Sequence, residues 1–195
     1  LETSRGEVVV ATAAGPTIRA REVIFCTGYV LPEFVSTDRG RVVSTYAFAT
    51  RPQTRRLWPT RCMIWEAADP YLYIRDTPDG RVVCGGEDED FADAEARDAL
   101  IPAKIRTLRR KLARRLPGID TEPEQAWAGN FGETRTGLPI LGALPRKPRC
   151  FAVLGFGGNG TTYSRIAADV IATALAGGED ADADLFAFKD DEAGK

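Results

Sequence analysis

Residues 155–160 read Gly-Phe-Gly-Gly-Asn-Gly, a G-x-G-x-x-G pattern set between the apolar run Cys150–Leu154 and an amphipathic stretch that starts near Thr161. Glycines let a flat or bulky ligand lie against the backbone, and a helix starting at the same point adds N–H groups and a partial positive charge. Such a site suits a phosphate, a carboxylate, or the electron-rich edge of a cofactor that becomes anionic on reduction. Thr161 and Thr162 place hydroxyls beside it. The plainer alternative is a tight strand-to-helix turn with Asn159 as the cap. A dinucleotide fingerprint also needs a second parallel strand and an acidic residue roughly 20 positions on. Here the helical stretch is followed only by Gly177-Gly178 and a polar, acidic tail, so the pattern is not that fingerprint.

A second group of residues could meet a substrate. In the strand-like run "YLYIRDT", alternation puts Tyr71, Tyr73 and Arg75 on one face and Leu72 and Ile74 on the other. Guanidinium groups grip carboxylates through two parallel hydrogen bonds, so Arg75 and Arg135 are candidates for an acidic substrate, against a solvent-exposed role. Tyr46, Phe48, Trp65 and Trp127 could line an apolar cavity, the competing role being simple core packing. The chain has no histidine, which removes Ser–His and Cys–His nucleophiles and the usual zinc sites. Its four cysteines, Cys26, Cys62, Cys84 and Cys150, are far apart with no C-x-x-C spacing and are expected to be buried structural thiols. No metal site is expected.

The elements that must position these groups are legible in part. "GEVVVAT", "PTIRA" and "EVIFCTGY" read as short strands, the first two joined by a turn at Ala14-Gly15-Pro16. Thr27-Gly28 ends the third where backbone could approach a ligand. Pro78-Asp79-Gly80 marks a hairpin between "YLYIRDT" and "RVVCGG". From Asp93 to Leu116 the period becomes helical, with Leu100, Ile101, Ile105, Leu108, Leu112 and Leu116 on one stripe and a basic surface elsewhere. Pro102 is expected in a first turn or at a kink, and Pro117-Gly118 stops the helix. The segment "EQAWAGNFGETRTGLPILGALP" is rich in Gly and Pro, and "CFAVLGF" is a buried strand leading into the glycine loop. The acidic piece Glu179–Asp184 reads as a mobile or solvated end.

At 195 residues the chain is long enough for one well-cored domain, or one domain plus part of another, and its 44% hydrophobic content and formal charge of −2 are those of an ordinary globular protein. That balance gives no general attraction to nucleic acid or an anionic membrane, and no run approaches the ~20 apolar residues of a membrane span. The basic face at 104–115 could touch an acidic partner, but the acidic stretch Glu87–Asp98 just upstream is an internal counterweight. A cytoplasmic location is expected. The first residues carry neither Met nor signal-peptide character, so the chain reads as a piece of a longer protein.

Several segments in order resemble the C-terminal part of the FAD-dependent oxidoreductases of the D-amino-acid oxidase group, which includes glycine and sarcosine oxidase-like enzymes: "REVIFCTGYV", "YLYIRDTPDGRVVCGGEDED", "AWAGNFGETRTGLPILG" and "FAVLGFGGNGTTYSRIAADVIATALAGG". The resemblance covers roughly residues 18 to 189. It implies that Gly155, Phe156, Gly157, Gly158, Asn159, Gly160 and Thr161 face the flavin, and that Thr27 and Gly28 pass near it. It also implies an α+β fold with a largely antiparallel twisted substrate sheet at 31–148, the terminal strands of an FAD-binding domain at 1–30, and a strand and flavin-facing helix at 149–195. The implied chemistry is oxidation of a C–N bond by hydride transfer to the flavin, giving an imine that water hydrolyses. Members acting on α-amino acids commonly carry an arginine where this sequence offers Phe131, and an aspartate where it has Thr136. The resemblance further implies FAD as cofactor, a small amine or amino-acid substrate, and a separate N-terminal Rossmann half as partner, without which the chain alone is inactive; homo-oligomerisation is compatible with it. A folding or interaction module that binds no flavin by itself is the alternative reading, and a nucleic-acid binder using the basic helix ranks below both.

Overall fold

The computed structural model describes residues 1–4, 6–30, 32–35, 40–54 and 57–188. In chain order the elements are β1 (Glu2–Thr3), β2 (Val8–Ala11), β3 (Thr17–Ala20), β4 (Val23–Gly28), β5 (Gly40–Thr50), β6 (Ile64–Trp65), β7 (Leu72–Asp76), β8 (Val82–Glu89), α1 (Ala94–Arg115), β9 (Pro123–Thr134), β10 (Ile140–Ala143), β11 (Cys150–Leu154), α2 (Gly160–Leu175) and α3 (Ala183–Phe186). The fold is α+β with mostly antiparallel sheets. By internal contacts the chain divides into Leu1–Arg41 with Phe131–Lys195, and Val42–Asn130.

In the first unit, β1, β2 and β3 form an antiparallel sheet with Gly15 at φ 101° in the expected turn. A second sheet has the order β10-β11-β4, with β11 antiparallel to β10 and parallel to β4. Parallel strands are covered on both faces, and β11 shows this in its own sequence. Cys150, Ala152 and Leu154 pack with Val8 and Val35 on one face, while Val153 packs with Ala167, Val170 and Ile171 of α2 on the other. The acidic tail, expected to be mobile or solvated, leads into α3, whose Phe186 is buried in that second cluster. Residues 189–195 lie outside the described residues.

The Val42–Asn130 unit carries the five-stranded sheet, order β6-β7-β8-β5-β9, with α1 on one face. Asp93 caps α1 by accepting a hydrogen bond from Ala96 N at 2.7 Å, and Gly118 at φ 95° follows its end. Pro102 lies in the helix interior rather than in its first turn, so the helix runs past a lost N–H donor. Burial of Ile105, Leu108 and Leu112, each worth about 1.5–3 kcal/mol, outweighs that local penalty. Much of the basic face is paired within the unit, Lys104 with Glu89, Lys111 with Glu87, Arg109 with Glu122 and Arg115 with Glu66. The Gly/Pro-rich segment holds all but the first residue of the twelve-residue strand β9, which the sequence did not announce. Among the described residues no helix is long and apolar enough to cross a membrane.

Candidate functional site

The glycine loop sits where two parallel strands end together. Leu154, the last residue of β11, pairs with Gly28, the last residue of β4, so Thr27-Gly28 and Gly155–Thr161 emerge side by side. Ligands of open α/β sheets bind outside such carboxyl ends. Gly28, Gly155 and Gly157 take φ of 65°, 71° and 54°, a region that side chains rarely adopt. Gly157 N donates to Gly132 O at 2.8 Å, which fixes the loop against the end of β9, and a Cβ on Gly155 would press on the Thr134 methyl at 2.6 Å. Gly158 is different: its φ is ordinary and a Cβ there would meet nothing within 4 Å. Asn159 occupies the N-cap position of α2, as the turn alternative required, but its side chain makes no capping hydrogen bond. The first-turn amides of α2 therefore lack the side-chain oxygen that usually satisfies them. Phe156, Gly157 and Gly160 are half-buried, and Gly158, Asn159, Thr161 and Thr162 are exposed.

In the second unit, strand register sorts the aromatic candidates by face. Ile64, Ile74, Cys84 and Phe48 pair across four strands, as do Leu72, Gly86 and Tyr46 across three. These rows face α1: Tyr46 and Phe48 are fully buried with Ile105, Leu108 and Leu112. The alternate rows, Trp65-Tyr73-Gly85-Ala47 and Arg75-Val83-Ala49, lie on the opposite face. Tyr46 and Phe48, candidates with Trp65 and Trp127 for lining an apolar cavity, are thus core residues, on the side of the sheet opposite Tyr73 and Arg75. Period 2 alone could not separate them, because both faces of β5 are buried from Tyr46 to Thr50.

On the face away from α1, Trp65, Tyr71 and Tyr73 form a ladder with ring centroids 6.1 and 6.3 Å apart. The Tyr73 ring lies over Gly85, where any Cβ would collide with it. Burial, then the charge of Asp88, raises the Tyr73 phenol above its usual pKa, with Arg75 opposing. Burial followed by Glu89 does the same to Tyr46. Arg75 is exposed on its strand, Trp127 is 42% exposed on β9, and Arg135 is exposed in the turn after β9. Sequence reasoning passed over Thr45 and Asp88, whose Oγ1 and Oδ1 atoms are buried without a hydrogen-bond partner among the described residues. Their prominence comes from a β-bulge, for which the sequence carries no clear signal. The cysteine expectation needs correcting in half: Cys84 and Cys150 are buried, but Cys26 and Cys62 are exposed. Among the described residues no His, Cys, Asp and Glu cluster could hold a metal ion.

A family model described as DAO, FAD dependent oxidoreductase, matches residues 1–174. Among solved structures, the chain is similar to glycine oxidase from Geobacillus kaustophilus, at 20% identity and TM-score 0.71 over 97% of this chain and 52% of that one. It is similar to iminodiacetate oxidase from Chelativorans sp. BNC1, at 18% identity and TM-score 0.74 over 92% and 49%. L-amino acid deaminase from Proteus vulgaris gives 15% identity and TM-score 0.71 over 96% and 55%. The chain thus spans about half the length of these proteins. No curated protein matches it.

Proposed function

From the premise that this chain belongs to the DAO family of FAD-dependent oxidoreductases, we propose that it is the C-terminal portion of a flavoenzyme oxidising the C–N bond of a small amine or amino acid. The observation that carries this reading is the convergence of Thr27-Gly28 and Gly155–Thr161 at the ends of parallel β4 and β11, beside a helix N-terminus with no side-chain cap. These residues fit a flavin: the added Cβ at Gly158 that meets nothing in the chain marks open space, and the helix start offers amides. Gly158, Asn159, Gly160 and Thr161 would hold the cofactor there, with Phe156 and Gly157 shaping the loop. Bound flavin would supply the acceptor for the hydride equivalent leaving the amine-bearing carbon.

The chain's own groups do the rest. The N-terminal end of α2 contributes fixed partial positive charge, which favours negative charge nearby without a titrating side chain and suits a protein lacking histidine. The sheet face bearing Trp65, Tyr71, Tyr73 and Arg75 is the substrate surface, where the aromatic ladder takes the apolar part of the substrate and Arg75 offers a bidentate grip for any carboxylate. Trp127 and Arg135 stay secondary candidates. The pyrophosphate and adenosine of FAD are assigned to the Rossmann half of the longer protein, so the isolated chain is expected to be inactive.

The test is anaerobic mixing of the flavin-loaded full-length protein with a panel of primary and secondary amines and amino acids. Bleaching of the flavin by at least one of them is expected. A flavin reduced only by substrates without a C–N bond to oxidise, such as α-hydroxy acids, would overturn the assignment.

A further inference from the structure

The basic face of α1 is a motif that the proposed function leaves unused, and ion pairing divides it in two. Glu87 and Glu89, from the acidic stretch upstream, hold Lys111 and Lys104, which flank the buried stripe of the helix, while Arg109 and Arg115 pair with Glu122 and Glu66. The acidic counterweight stops there. Arg106 makes no ion pair or hydrogen bond among the described residues, and the Arg110 guanidinium reaches only the Thr107 hydroxyl, at 3.2 Å. Both arginines are exposed and stand one turn apart, at i and i+4, where like charges repel.

They open onto a cleft of about 600 Å³ that lies wholly within the Val42–Asn130 unit. Ala103, Arg106, Thr107, Arg110 and Ala113 bring the outer face of α1 to it, and Thr121, two residues before β9, completes the lining beside the paired Arg109. No carboxylate lines this cleft among the described residues. The nearest ones in sequence are engaged: Asp120 Oδ1 accepts from Glu122 N at 2.9 Å, and Glu122 holds Arg109. Thr107 Oγ1 accepts from Arg110, which leaves its own hydrogen for another acceptor, and the Thr121 hydroxyl has no partner among the described residues. The cleft therefore offers donors and positive charge. Its complement is a small anion with several oxygens, and a phosphate chain can meet two guanidiniums and two hydroxyls at once where a single carboxylate cannot. A nucleic acid fits less well, because it spreads its phosphates over a much larger surface and the chain's formal charge of −2 supplies no field to hold it.

We propose that this cleft on the outer face of α1 binds a small phosphate-bearing polyanion, gripped by Arg106 and Arg110 with hydroxyl donors from Thr107 and Thr121. The site needs nothing from the glycine loop and stands apart from the oxidoreductase reading.

The experiment titrates the full-length protein, saturated with FAD, with sodium pyrophosphate by calorimetry, in a background of potassium chloride that screens diffuse surface charge. Saturable one-to-one binding is expected, with a rise in Tm that potassium chloride of equal ionic strength does not give. Arg106→Gln and Arg110→Gln should each weaken binding about ten-fold or more, the scale of a lost charge-assisted hydrogen bond, and Thr121→Val should weaken it less, all three keeping the wild-type far-UV circular dichroism. Arg19→Gln removes an exposed positive charge from β3 and should leave the affinity unchanged. ADP in place of pyrophosphate identifies the source: equal affinity means that the phosphates alone are read, tighter binding that an organic group beside them is read too, and either agrees with the proposal. Absence of saturable binding, an affinity that Arg106→Gln and Arg110→Gln leave unchanged, or one that Arg19→Gln lowers as much as they do, would overturn it. A single-stranded oligonucleotide bound more tightly than either compound would also overturn it, in favour of a nucleic-acid surface. None of these outcomes bears on the oxidoreductase reading, which flavin reduction tests separately.

Discussion

Gly158 separates the proposed cofactor contact from folding more cleanly than its neighbours. Gly155 and Gly157 have positive φ, so any substitution there strains the backbone before it meets a ligand. Gly158 has ordinary φ and empty space at its Cβ, so Gly158→Val should change Tm little, within about 0.5 kcal/mol of stability, yet sharply lower the flavin content of the full-length protein. Flavin occupancy equal to wild type would remove Gly158 from the cofactor surface. Cys84 makes a different residue-scale prediction. Burial, opposed by Lys111 and helped by Glu87, pushes its thiol up to about 12. An unfolded thiol ionises near pH 8.5, so below that value both states are protonated and the full stability is present. As pH rises from about 8.5 toward 12 the unfolded chain loses a proton that the folded chain keeps, and stability should fall by up to ~1.4 kcal/mol per unit. Cys84→Ala should show a shallower alkaline loss in urea titrations, and parallel curves for the two proteins would contradict the burial of the thiol.

The elements differ in how plainly their sequences speak. Helix α1 was readable because its stripe is both periodic and buried, and its cap residue Asp93 makes the bond its type suggests. Leu108 is fully buried at the centre of that stripe, and Leu108→Ala should cost about 2–5 kcal/mol, measured by denaturant unfolding with an unchanged m-value. A loss below 1 kcal/mol would mean that α1 does not cover this sheet. Strand β9 was illegible for the converse reason. Its residues 123–134 are never fully buried, and its Gly129 and Gly132 read as loop, so pairing in the sheet rather than side-chain burial makes it a strand. Strand β5 hid its faces because Tyr46 to Thr50 are buried on both sides, and only the partner register assigns Tyr46 and Phe48 to the core. The bulge at Glu87-Asp88 follows the two glycines Gly85-Gly86, yet nothing in their spacing says which side chain turns away from α1.

For the whole molecule, the part of the site that was legible is the part made by backbone. Glycines at Gly155–Gly160 and the start of α2 leave a mark in composition, and the parallel pairing that sets Thr27-Gly28 beside them completes it. The proposed substrate face was legible only in part: Tyr73 and Arg75 follow from alternation, but which partner residues share that face depends on register between strands some 40 residues apart. The chain spans about half of its solved relatives, and by internal contacts it is two units, one carrying the glycine loop and one the aromatic face. The most direct measurement is the visible absorbance of the full-length protein, expressed from its natural start codon, beside that of this chain mixed with FAD. A yellow full-length protein, with the chain alone leaving FAD free in solution, is the predicted result. A full-length protein that is colourless and takes up no added FAD would contradict the account and leave the glycine loop as a turn between β11 and α2.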